Sequence, residues 1–257
     1  MEKYSLFKQT PHPKDVNDFY HTYNLSNVLN VLYWDSFFKK IHSVDGDIVE
    51  CGVGRGRSLI TILSLNLFYS ELRTEKPRSV YALDSFEGFP DPSPEDHSPR
   101  NPKKGEWSAS PNNQFHYSPD NLLKILDCAD LGSRVLGSAT IGAGTNQLES
   151  KGKGACKLKI VKGFFDSTTP KLDVSQIALL HLDGDLYASL KSPLENLAQK
   201  VSLNGIIVID DFQLHKEDAV EEAFPGARTA ISEFLNENKN FEIKESIRGT
   251  PYLCRVT

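Results

Sequence analysis

The stretch "GDIVECGVGRGRSLI", residues 46–60, decides how the chain is read. A short apolar run from Ile48 to Cys51 breaks into Gly52, Gly54 and Gly56, and "RSLITILSLNLFYSEL" follows at once. That order predicts a buried strand, a tight turn and a helix. Glycine lets the backbone come close to a ligand, and the free N–H groups at a helix start attract an anion.

The loop is not the dinucleotide fingerprint. G-x-G-x-x-G starting at Gly52 needs glycine at position 57, which is Arg57. The pattern is E-x-G-x-G-x-G, led by Glu50, and Asp84 follows Gly56 by 28 residues at the end of the apolar run "RSVYALDSF" (78–86). An acid at that strand end accepts both hydroxyls of a ribose. The layout is that of an S-adenosylmethionine site, in which the glycine loop holds the methionine part. Read alone, the loop is also compatible with a merely tight strand-to-helix turn; Asp84 in register argues against that.

Outward from this unit the pattern repeats. "LSNVLNVLYWDSFFKKI" (25–41) has helical spacing, with Ser26 as its cap. "SPDNLLKILDCADL" (118–131) predicts a helix capped by Ser118 or Asp120. "KLKIVKGFF" (157–165) and "QIALLHLD" (176–183) predict strands, and "YASLKSPLENLAQKV" (187–201) a helix. "NGIIVIDD" (204–211) predicts a strand and "ARTAISEFLNEN" (227–238) a helix. "FEIKES" and "PYLCRV" predict an antiparallel pair. Strands alternating with helices predict an α/β fold with a parallel sheet covered on both faces. Ligands of such sheets sit outside the carboxyl ends of the strands. Glu50, Asp84, Asp183, Asp210 and Asp211 all end strands, so the candidate functional residues share one edge.

Residues 87–117, rich in Pro, Ser and Asn, and 132–156, rich in Gly, Ser and Lys, interrupt the alternation. Such composition predicts loops, and 87–117, leaving directly from the Asp84 strand end, predicts a mobile lid.

"ALLHLDGDLYASL" (178–190) runs an apolar strand into Asp183 and Asp185, separated by Gly184. One helical crossover later come Asp210 and Asp211, and sequential βαβ strands are usually neighbours. Carboxylates crowded at one rim repel unless a cation lies between them. Hard oxygen donors select Mg²⁺ or a similar ion. Read singly, Asp185 also suits a helix cap and Asp211 a solvent-facing acid. His181, two residues before Asp183, reads as a packed core histidine, and His215 as a residue of a substrate loop.

Composition narrows the remaining classes. The 257 residues are 39% hydrophobic and 25% charged, with 34 acids against 29 bases, which suits a single globular domain and leaves no basic footprint for nucleic acid. The dense basic runs 101–107 and 151–159 read as solvated loops. Cys51, Cys128, Cys156 and Cys254 form no C-x-x-C pair. "MEKYSLFKQT" has no apolar core of a signal peptide, and no run is long enough for a membrane span, so a cytoplasmic location with free thiols is expected.

The segments "DIVECGVGRGRS", "YALDSFEGFP", "KIVKGFFDSTTP", "LHLDGDLYASLKSPLENL", "GIIVIDDF" and "PGARTAISEF", in this order, resemble the macrocin O-methyltransferase (TylF-type) family over about residues 25–245. The resemblance implies a Rossmann-like class I methyltransferase fold, with a mostly parallel seven-stranded sheet, helices on both faces and lid-like insertions. It implies one domain over 1–257, with a helical segment 1–44 ahead of a core 45–257. It also implies S-adenosylmethionine, Mg²⁺ or a similar divalent cation, and transfer of a methyl group to a hydroxyl of a sugar or glycoside. Residue by residue, Glu50, Gly52, Gly54 and Ser58 would frame the methionine moiety, Asp84 and Ser85 the ribose, and Gly163, Phe164 and Asp166 the adenine. Asp183, Asp210 and Asp211 would hold the metal, and Asp185 would be the general base. A small-molecule acceptor, no nucleic acid or membrane partner, and a homodimer or higher homo-oligomer are expected. The chain departs from the family pattern at 132–156, which is longer than the usual connection.

Two other classes fit parts of the pattern. "LLHLDGD" also resembles the D-x-D strand end of metal-dependent phosphatases and glycosyltransferases, but that leaves the glycine loop unexplained. A non-catalytic S-adenosylmethionine-binding protein has no need of four acids at one rim.

Overall fold

The computed structural model describes residues 25–73, 77–110, 113, 115–141, 144–147, 156–212 and 223–257. Residues 1–24 of the expected N-terminal segment, His215 and most of the basic run 151–159 lie outside them. In chain order the elements are α1 (Leu25–Ile41), β1 (Asp47–Cys51), α2 (Arg57–Arg73), β2 (Val80–Asp84), α3 (Pro119–Cys128), β3 (Val135–Ile141), β4 (Gly144–Gln147) and β5 (Cys156–Lys162). They continue as α4 (Phe165–Thr168), β6 (Ile177–Leu182), α5 (Tyr187–Leu197), β7 (Val201–Ile209), α6 (Pro225–Glu237), β8 (Phe241–Glu245) and β9 (Pro251–Arg255).

One sheet carries all nine described strands in the order β4-β3-β5-β2-β1-β6-β7-β9-β8. From β3 to β7 every pairing is parallel, while β9 runs antiparallel to both β7 and β8. The expected seven strands are β5-β2-β1-β6-β7-β9-β8. The other two come from 132–156, which the composition marked as loop: β3 adds parallel to β5, and β4 turns back along β3. Backbone pairing with an open sheet edge overrides the low strand propensity of this Gly/Ser-rich segment.

Side chains alternate between two covered faces, as expected for buried parallel strands. Ile48, Val80, Ala82, Leu179 and Val208 pack with Tyr33, Phe37, Leu59, Ile62 and Leu122 from α1, α2 and α3. Val49, Leu83, Leu180 and Ile207 pack with Leu190, Leu194, Ala230 and Ile231 from α5 and α6. Among the described residues, no helix is long and apolar enough to cross a membrane, and the four cysteines are free thiols.

The helix starts follow local chemistry. Ser118 caps α3, its hydroxyl accepting the Asn121 N–H at 3.1 Å. Ser26 lies inside α1 rather than capping it, and its hydroxyl accepts from the Arg57 guanidinium at 2.9 Å.

The stretch 87–117 is not the unpacked loop that its composition suggests. Within it Phe89, Asp96, Ser98, Ser110 and Tyr117 are buried. Asp96 accepts from the Tyr187 N–H at the start of α5 at 2.7 Å and from the Ser93 N–H at 2.8 Å. Ser98 donates to the Ala223 carbonyl at 3.0 Å. These polar residues bond to backbone groups across the fold, so they pack where a composition rule sees only solubility.

Candidate active site

From β1 the chain moves to β2 on one side, and β6 lies on the other. This is a topological switch point, where a crevice opens at the carboxyl ends of the strands. A cavity of about 660 Å³ lies there, reached by Gly52, Gly54, Asp84, Ser85, Phe164, Asp166, Asp183 and Asp185.

One end of the cavity is built by the glycine loop. Gly52 has φ +96°, and a Cβ there would lie 1.7 Å from the Asp183 carbonyl oxygen, so only glycine lets β1 and β6 end this close together. At Gly54, φ +51°, a Cβ would meet nothing within 4 Å: the loop turns an open side to the cavity. Asp84 ends β2, and its Oδ2 accepts the N–H groups of Val53 and Gly54, both at 2.9 Å, while Oδ1 accepts the Phe86 N–H at 2.7 Å. The acid thus fixes the loop, and a lone pair on Oδ1 is left to accept a ligand hydroxyl. Open glycine backbone beside a strand-end carboxylate fits the methionine and ribose parts of S-adenosylmethionine. Phe164 and Asp166, which follow β5, line the same cavity, and Gly163 (φ +146°) ties them to β2 by donating to the Asp84 carbonyl at 2.9 Å.

Of the expected cofactor contacts, Glu50 and Ser58 lie off the cavity lining, while Ser85 is on it. Glu50 is fully buried and does not line the cavity; its Oε1 lies 3.1 Å from His181 Nδ1. Strand alternation explains this: Glu50 falls between Val49 and Cys51, which face α5 and α6, so its side chain enters the opposite layer. There His181, a core histidine as expected, is edge-on to Trp34 at 4.8 Å, and the Glu50 carboxylate pushes its pKa up to about 9 against the desolvation that lowers it. Ser85 borders the cavity, but its hydroxyl donates to the Gly88 carbonyl at 2.9 Å and accepts the Glu87 N–H at 3.1 Å, so it serves the turn after β2. Ser58 lies in the first turn of α2, away from the cavity lining.

The other end of the cavity is acidic. Oxygens of Asp183, Asp185 and Asp211 all lie within 4.8 Å of one another. Asp185 is 5% exposed and held at φ +59°, and its N–H donates to Asp211 Oδ2 at 2.9 Å. Burial, then the charges of Asp211 and Asp183, push the Asp185 carboxyl up to about 10. Burial and Asp210 push Asp211 up to about 6, and burial followed by Asp210 holds Asp183 well above the usual range. A cluster made only of hard oxygen donors, whose carboxyls push one another up, fits a divalent cation such as Mg²⁺.

Asp210, expected among the ligands, is exposed and outside this group, although its charge acts on Asp183. Consecutive residues leaving a strand point to opposite faces, so Asp210 and Asp211 do not aim at one point. Asp185, expected beside the ligands as a base, lies among them.

The sequence reading did not single out the wall that 87–117 supplies: Phe89, Lys104, Trp107 and Tyr117 line the cavity, with Arg55 donating to the Tyr117 hydroxyl at 3.1 Å. The one signal was the aromatic content of an otherwise polar stretch.

A doubly wound sheet with a glycine loop, a strand-end acid and a carboxylate cluster on one cavity defines a Rossmann-like protein of the class I methyltransferase type. The family model described as Macrocin-O-methyltransferase (TylF) matches residues 36–114 and 152–245, and the chain belongs to that family. It is 27% identical over 188 residues to demethyldecarbamoylnovobiocin O-methyltransferase of Streptomyces niveus, covering 70% of this chain and 59% of that protein. It is 26% identical over 191 residues to mycinamicin III 3''-O-methyltransferase of Micromonospora griseorubida, covering 74% of this chain and 61% of that protein. The chain thus spans about three fifths of the length of these relatives. Among solved structures, a calicheamicin methyltransferase superposes with a TM-score of 0.69 at 22% identity, covering 96% of this chain and 86% of that one. The O-methyltransferase NovP gives 0.60 at 23% identity, covering 90% and 80%. At these identities the likeness is one of fold.

Proposed function

We propose that the protein transfers the methyl group of S-adenosylmethionine to a hydroxyl of a sugar or glycoside, with Mg²⁺ or a similar divalent cation bound beside the acceptor. The observation that carries this reading is the joining of two ends in one cavity: the glycine loop with Asp84, and Asp183 with Asp185, which have Asp211 within 4.8 Å beside them. The names of the relatives, among them the 4'-O-methyltransferase of a rhamnosyl-tetracenomycin from Streptomyces olivaceus, support the acceptor class.

In this reading Asp84 accepts a ribose hydroxyl and the loop at Gly54 lies against the methionine part. Asp183 and Asp211 hold the cation. The cation supplies positive charge that favours loss of a proton from a nearby hydroxyl. Asp185 follows Gly184 into the cavity; the positive charge of a bound cation would bring its raised carboxyl back to the ionised form, in which it takes that proton. A sugar hydroxyl is a poor nucleophile at neutral pH, so holding it in line with the sulfonium methyl and giving its proton a destination are the main tasks of the site. The packed stretch 87–117 closes one side and keeps bulk water from the sulfonium.

Calorimetry tests the reading. S-adenosylhomocysteine should bind to protein freed of metal with EDTA, because the Asp84 end of the cavity needs no cation. No heat with this ligand but clear heat with NAD would refute it.

A further inference from the structure

Trp107 stands out among the aromatic residues. It is 56% exposed and lines the cavity mouth. Its backbone has φ +63°, a conformation that bulky L-residues rarely adopt. The chain is pinned on both sides of it: before it the Glu106 carbonyl accepts the Phe89 N–H and the Gly105 N–H donates to the Phe89 carbonyl, both at 3.0 Å, and after it the Ser108 carbonyl accepts the Tyr117 N–H at 2.9 Å. The indole is also braced. Phe89 lies 5.1 Å away and Phe224 6.0 Å away, and the Arg100 guanidinium, fixed by Glu106 at 2.8 Å, sits 5.3 Å from its ring centre. The same guanidinium lies over Phe89 at 5.4 Å and Phe224 at 4.7 Å. A large apolar ring left in water, in a costly backbone conformation and with its backing immobilised, is a prepared surface.

The same cavity joins this surface to the reacting end, since Trp107, Asp183 and Asp185 all line it. A sugar whose hydroxyls reach the carboxylates would carry its substituent toward the indole. Resting on the methyltransferase reading, we propose that Trp107 is a specificity-determining residue: a stacking platform for a flat apolar aglycone on the acceptor sugar. The site would then favour glycosides with an aromatic or similarly flat group over free sugars and simple alkyl glycosides.

The chain offers its own probe. It has two tryptophans, and the other, Trp34, is 3% exposed, so acrylamide quenching of fluorescence reports mainly Trp107. The intact protein, with S-adenosylhomocysteine and Mg²⁺, is titrated with the phenyl and methyl glycosides of rhamnose, galactose and glucose. At least one phenyl glycoside should shield Trp107 from acrylamide and bind about tenfold more tightly than its methyl counterpart, the gain expected from burying one aromatic group. Trp107→Ala should erase the preference for phenyl over methyl, and Trp107→Phe should keep part of it, while both bind S-adenosylhomocysteine as the parent does. Shielding by S-adenosylhomocysteine alone would make Trp107 a cofactor contact and overturn the proposal. So would an unchanged phenyl preference in Trp107→Ala, or no shielding by any of the three phenyl glycosides. Failure of S-adenosylhomocysteine to bind the parent protein would refute the methyltransferase reading itself.

Discussion

Asp84 and the Asp183–Asp185–Asp211 cluster are both acids at strand ends, a few strands apart on one cavity, and their surroundings differ in kind. Asp84 is met by three backbone N–H groups, at 2.9, 2.9 and 2.7 Å. Its negative charge is answered by the protein's own dipoles, so the loop it organises is finished before any ligand arrives. The cluster instead has three carboxylates within 4.8 Å, one backbone donor to Asp211, and carboxyls pushed up by burial and by one another. Among the described residues Arg100 and His181 offset only part of this, since all three carboxyls stay above their usual range. In the proposed reading, one region binds by preformed hydrogen bonds and the other is completed by a cation.

The largest effect expected from this contrast is on turnover. Asp185→Asn should cut methyl transfer by about 10²–10⁴, the usual share of a general base, while S-adenosylhomocysteine affinity stays as it was. Calorimetry alongside rate measurement decides it; a parallel loss of cofactor binding would merge the two regions. Next comes Gly52→Ala, where a Cβ would lie 1.7 Å from the Asp183 carbonyl at a φ of +96°. Overpacking and strain should together destabilise the fold by about 3 kcal/mol or more, seen as a lower midpoint in urea, since the substitution pushes the two regions apart. Asp84→Ala should weaken S-adenosylhomocysteine by about 1.5–3 kcal/mol without touching metal affinity. The smallest effect is expected at Asp210. Exposed and outside the cluster, it should leave Mn²⁺ affinity within about threefold when changed to Asn, as surface charges usually do. A large loss there would restore it to the ligand set that the sequence suggests.

The first of these regions was nearly legible in the sequence. Glycines that break an apolar run announce their turn, and Asp84 sits where strand β2 ends, so the loop and its acid follow from local pattern. The parallel core was readable for the same reason. Glu50 was misread, since its burial against His181 depends on which face of β1 it takes, a parity that tertiary packing fixes. The acid cluster was legible only as four acids near one rim: alternation at the end of β7 separates Asp210 from Asp211, and Asp185, at a positive φ, is buried beside Asp183 and Asp211. Least legible was 87–117. Asp96 capping the backbone of α5, and Trp107 held out at the cavity mouth, are long-range contacts of residues whose local signature is that of a polar loop.

The central claim is that the carboxylate cluster awaits a cation that the glycine-loop end does not need. Titration of EDTA-treated protein with Mn²⁺, followed by the loss of the free-ion electron paramagnetic resonance signal, tests it directly. The account predicts one ion bound per chain with no cofactor present, and none bound in Asp183→Asn. No binding to the parent protein, or binding that survives Asp183→Asn unchanged, would contradict it.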